Sequence, residues 1–130
     1  MTSRAPEFLS LAEVVAIHRD QIVRYSGRAG IRDRNALSAA IAAPAAAIQS
    51  GYLLEDVFEM AAAYLFHIVR GHPFVDGNKR TGLVSAMVFL ALNEITIKAD
   101  DDVLETLVLR AASGKISRAG IAEFLRSHEF

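Results

Sequence analysis

The chain has no cysteine and no tryptophan, only three prolines, and a formal net charge of just -1 over 130 residues. Without cysteine it can build no disulfide scaffold, no thiolate zinc site and no cysteine nucleophile. The balanced charge lacks the basic excess that accompanies general nucleic-acid affinity or attraction to a membrane surface. Basic residues do not interleave with aromatic ones, so direct nucleic-acid binding is not expected. No apolar run reaches the roughly 20 residues needed to span a bilayer; the longest nearly uncharged stretch is 81–93. Residues 1–10 hold Arg4, Pro6 and Glu7 and too short an apolar run for a secretory signal, which makes the cytoplasm the expected compartment.

What remains is the composition of a folded domain, 52% hydrophobic and 22% charged. A chain of this size removes roughly two-thirds of its unfolded surface from water, enough for one core without metal or disulfide. One domain over residues 1–130 is therefore expected.

Ser10-Leu11-Ala12-Glu13 has the form of a capping box and predicts a helix carrying Val14, Ile17, His18, Gln21, Ile22 and Tyr25 on one side, with Gly27 as its stop. Asp33 is the expected N-cap of a second helix ending at Ala43, because proline disfavours helical geometry in the residue before it and Pro44 follows. Residues 49–52 read as a turn or exposed flap, a candidate contact for a target through Tyr52. Residues 55–70 and 78–93 are apolar almost all round and predict two central, buried helices joined by a loop. A helix over 100–113 with an acidic first turn and a last helix after Ser117 complete an all-α bundle of five to six helices.

Between the two apolar helices lies Arg70-Gly71-His72-Pro73-Phe74-Val75-Asp76-Gly77-Asn78-Lys79-Arg80-Thr81, the densest set of reactive side chains in the sequence. Asp76-Gly77 signals a turn and Asn78 is a good N-cap, so the loop delivers its side chains to a helix N-terminus. Unpaired amides and the helix dipole favour an anion there. Two adjacent cations, Lys79 and Arg80, oppose that dipole unless an anion compensates them, which makes phosphate the natural guest. Asp76 is the candidate magnesium ligand against phosphate oxygens, and His72 the candidate for taking a hydroxyl proton. A P-loop is excluded: the spacing from Gly71 is too long, Asn78 precedes Lys79, and a helix stands where a strand is required. The other histidines, His18, His67 and His128, read as structural or exposed.

The string His72-Pro73-Phe74-Val75-Asp76-Gly77-Asn78-Lys79-Arg80-Thr81 resembles the signature of the Fic/Doc family, specifically its Doc (death-on-curing) branch. Similarity extends through Ile17-His18 to Tyr25, Gly30-Ile31-Arg32-Asp33 and the turn Ser113 to Ser117. The resemblance implies a kinase toxin that uses ATP and magnesium to phosphorylate a threonine of translation elongation factor Tu and so halts translation. It also implies a Phd-type antitoxin partner. Carried onto this chain, His72 is the general base, Asp76 the metal ligand, and Gly77, Asn78, Lys79 and Arg80 the nucleotide and phosphate site, with Arg70 a second phosphate contact. The Fic branch has glycine in place of Lys79 and typically transfers AMP. Such an AMP or other nucleotidyl transferase is the alternative, and a non-catalytic nucleotide-binding partner protein the third reading.

Overall fold

The computed structural model describes residues 5–49 and 57–130. Six α-helices lie among them: α1 (Leu11–Tyr25), α2 (Arg34–Gln49), α3 (Val57–Gly71), α4 (Asn78–Leu92), α5 (Asp101–Ala112) and α6 (Arg118–Ser127). The all-α expectation is met. No strand forms among the described residues, only isolated bridges joining Ile31 to Phe74 and Ile97 to Glu129. No described helix is long and apolar enough to cross a membrane. The flap at 50–52 and the expected helix start at Glu55 lie outside the described residues.

The helix ends follow local chemistry. Ser10 accepts from the Glu13 amide at 3.1 Å and the Glu13 carboxylate accepts from the Ser10 amide at 2.8 Å, closing the capping box. The left-handed stop falls on Ser26 rather than Gly27. Asp33 caps α2 by accepting from the Ala36 amide at 3.0 Å. Helix α2 does not end at Ala43: it runs through Pro44 to Gln49. Pro44 removes one helical donor, but it is buried and flanked by alanines, the best helix formers, on a helix that packs along α3.

Helix α3 is the centre of the molecule, touching α2, α4, α5 and α6. Ten of its residues are buried, Met60, Ala61, Tyr64, Leu65 and Ile68 among them. Its closest neighbour is α4, and Gly82 sets the spacing: a Cβ there would lie 2.8 Å from Val69 Cγ2 and 3.2 Å from the Leu65 carbonyl oxygen. Tyr64 brings a hydroxyl into this core; it accepts from the Leu9 amide at 2.9 Å. Burial pushes its ionisation up to about 12, against the opposing pull of that backbone bond.

Helix α4 departs from the all-round burial expected of it. Phe89 and Leu90 are in the core, whereas Leu83, Val84, Met87 and Val88 are only part-buried. For Leu83 and Val84 the reason is spatial: α1 and α5 both flank α4, and the two side chains line the cleft that the three helices share.

Candidate active site

The loop from Gly71 to Gly77 is held from two sides. On one side runs the segment between α1 and α2. The Val75 amide donates to the Gly30 carbonyl at 2.9 Å, and the Arg32 and Asp33 amides both donate to the Pro73 carbonyl, at 2.7 and 3.0 Å. The Arg32 guanidinium donates from Nε to the His72 carbonyl at 2.6 Å and from Nη2 to the Gly71 carbonyl at 3.0 Å. On the other side stands His18 of α1, buried and stacked on Phe74 with centroids 3.8 Å apart. Its Nε2 faces the Asp76 carbonyl oxygen at 2.9 Å, so that nitrogen carries the proton and donates.

His72 itself has φ 49, the left-handed region. For a side-chain-bearing residue ahead of proline this is a strained backbone, of order 1–3 kcal/mol. Its imidazole is exposed. The Asn78 side-chain nitrogen lies 3.3 Å from His72 Nδ1. A neutral ring that accepts this contact keeps its proton on Nε2, so taking a proton at Nε2 requires the ring to release Asn78 and shift that proton to Nδ1.

Asn78 is not the N-cap of α4. That position belongs to Gly77, at φ 76, with no side-chain cap bond. Gly77 occupies it because a left-handed backbone favours glycine. The buried Asn78 side chain turns back instead, accepting from the Phe74 amide and donating to the Phe74 carbonyl, both at 3.0 Å. It is a clamp on the loop, and what it offers an anion is its backbone amide at the first turn of α4.

Asp76 receives two backbone donors, the Gly77 amide on Oδ1 at 2.9 Å and the Arg28 amide on Oδ2 at 3.0 Å. These bonds, that of Arg28 foremost, hold its carboxyl below the usual carboxylate range. The group is exposed at the edge of the cleft and oriented while keeping further lone pairs. Among the described residues no cluster of three or more acidic or imidazole side chains could cage a metal by itself. A lone oriented carboxylate next to an anion site fits magnesium, which is ordinarily held by one or two carboxylates plus substrate phosphates.

The cleft measures about 610 Å³ and runs from Asp76 and Gly77 along Lys79 and Arg80 to α5. The Arg80 guanidinium sits 3.7 Å above the ring centre of Tyr25. Opposite, α5 contributes Asp101, Asp102 and Glu105 beside Val108 and Leu109. The loop therefore brings Asp76, Gly77, Lys79 and Arg80 together at one cleft, with His72 outside its lining. Arg70 goes elsewhere: its Nη1 donates to the Ala112 carbonyl at 3.0 Å, tying the end of α3 to that of α5. It serves as a helix-end cation there.

Sequence reasoning assigned no site role to Arg32, His18 or Tyr25. The only signal was their place inside the strings that carried the family resemblance.

Residues 8–90 match the profile of the Fic/DOC family. The chain is 38% identical over 118 residues to "Protein kinase doc" of Escherichia phage P1, covering 91% of this chain and 92% of that protein. It is 37% identical over 81 residues to "Toxin Doc" of Mycolicibacterium smegmatis, covering 62% of each. A helical bundle that presents this loop at a helix N-terminus, with these relatives, belongs to the Fic/DOC family and to its Doc branch.

Proposed function

We propose that this chain is a Doc-like toxin kinase that transfers the γ-phosphoryl group of ATP to a threonine hydroxyl of translation elongation factor Tu. The observation that carries this reading is the convergence on one cleft of an oriented carboxylate, Asp76, a free helix N-terminus and the cations Lys79 and Arg80. Lys79, where the Fic branch has glycine, favours phosphoryl over AMP transfer.

The acceptor Oγ bonds to the γ-phosphorus while the bond from that phosphorus to the β,γ-bridging oxygen breaks, releasing ADP. His72 takes the hydroxyl proton after the tautomer shift described above. Lys79, Arg80 and the first-turn amides of α4 neutralise charge that spreads over the transferring group. Asp76 would hold magnesium against the phosphate oxygens, where the ion supplies further charge neutralisation. The apolar part of the cleft, Leu83, Val84 and Val108, suits an amphipathic helix laid into a groove, the mode expected of a Phd-type antitoxin. The toxin would act in the cytoplasm, where its target works.

The test is intact-protein mass spectrometry of elongation factor Tu after incubation with this chain, ATP and magnesium, beside a His72→Ala control. One added phosphate, lost in the control, supports the reading. An AMP-sized addition overturns the kinase assignment, and a fully active His72→Ala variant overturns the base.

A further inference from the structure

Three consecutive carbonyls, those of Gly71, His72 and Pro73, converge on residues 32 and 33. In extended backbone successive carbonyls point to opposite sides; the left-handed residue His72 turns its own to the side of its predecessor's. One guanidinium then spans both, Nε on the His72 oxygen at 2.6 Å and Nη2 on the Gly71 oxygen at 3.0 Å. Arginine is suited to this because its donors form a rigid planar fork, whereas an ammonium is a single point. The Gly71 oxygen also belongs to the last turn of α3, where orphan carbonyls and the dipole favour a cation. The isolated bridge between Ile31 and Phe74 fixes the register of the two segments on the far side of Pro73.

We propose that Arg32 is the positioning residue of His72, holding the strained left-handed backbone that aims the imidazole, without contacting the phosphoryl group. The proposal rests on the reading of His72 as the base. Arg32 is absent from the cleft lining, so its removal should act on turnover and not on nucleotide affinity.

The experiment compares wild type with Arg32→Ala, Arg32→Lys and His72→Ala, measuring kcat and KM for ATP on the modified protein substrate. Arg32→Ala is expected to lose at least tenfold in kcat with KM for ATP within twofold. Arg32→Lys should not recover it. Guanidinium chloride at low, non-denaturing concentration should restore part of the rate to Arg32→Ala and none to His72→Ala. Independently of any acceptor, the backbone chemical shifts of His72 should report left-handed geometry in wild type and its loss in Arg32→Ala. Unchanged His72 shifts, full rescue by lysine, or a loss confined to KM for ATP overturns the proposal. A fully active Arg32→Ala beside an inactive His72→Ala overturns it alone, whereas a fully active His72→Ala overturns the base reading and this proposal together.

Discussion

His18 lies flat against Phe74, their planes 6° from parallel, and its Nε2 donates to the carbonyl of Asp76. One buried side chain thus fixes both the aromatic anchor of the loop and the backbone of Asp76, the proposed metal ligand. Close to it, a Cβ on Gly77 would stand 3.8 Å from His18 Nε2.

His18→Ala should leave a cavity beside Phe74 and free the Asp76 carbonyl. Phosphoryl transfer is expected to fall about tenfold or more, the equivalent of about 1.4 kcal/mol. His18→Gln, which places an amide donor near Nε2, should recover part of that rate without recovering the stacking. Equal rates for the two variants would show that the donor is irrelevant.

Tyr64→Phe removes the acceptor that satisfies the buried Leu9 amide. The expected cost is about 1–3 kcal/mol, because an unsatisfied buried donor keeps its desolvation penalty. Urea unfolding of the two proteins reads it directly, and a midpoint that does not move would refute the assignment.

His67 is held below the ordinary histidine range first by burial and then by Arg118, whose Nη1 lies 3.1 Å from its Nε2. The folded chain therefore prefers the neutral ring. Below about pH 6.5 the unfolded chain binds the proton more readily, so this group's contribution to stability is present at neutral pH and is lost as pH falls. Arg118→Ala should raise the His67 midpoint in an NMR titration without bringing it to the ordinary value, since burial is the larger cause. A midpoint unmoved by the substitution would contradict this.

Tyr25→Leu leaves the Arg80 guanidinium without the ring beneath it. An exposed cation–π contact contributes about 0.5–1 kcal/mol, so nucleotide affinity should weaken about two- to fivefold. Calorimetric titration with ATP measures it, and identical affinities would remove Tyr25 from the site.

Local signals were the legible ones. The capping box at Ser10 and Glu13 and the Asp33 cap each involve atoms three residues apart, and both form. The dense string from His72 to Arg80 likewise marked the site, because reactive side chains between apolar helices stand out. Two local readings failed where a wider demand prevailed. Pro44 stays inside α2 because alanine neighbours and packing on α3 outweigh one missing bond. Asn78 gives up the cap because the loop needs its amide at Phe74, and the left-handed turn is better met by Gly77. No local spacing reveals the role of Arg32, since its partners lie 39 and 40 residues away.

The bracing of the catalytic loop bears on how such an enzyme is governed. Backbone or side-chain bonds secure Gly71, His72, Pro73, Phe74, Val75 and Asp76. A backbone braced at six successive residues has little freedom to fold away, and the movement left to the loop is the local one of the His72 ring against Asn78. An antitoxin seated in the cleft, as proposed above, would restrain the enzyme without reshaping this loop, so that abundance and not shape would set the moment of release.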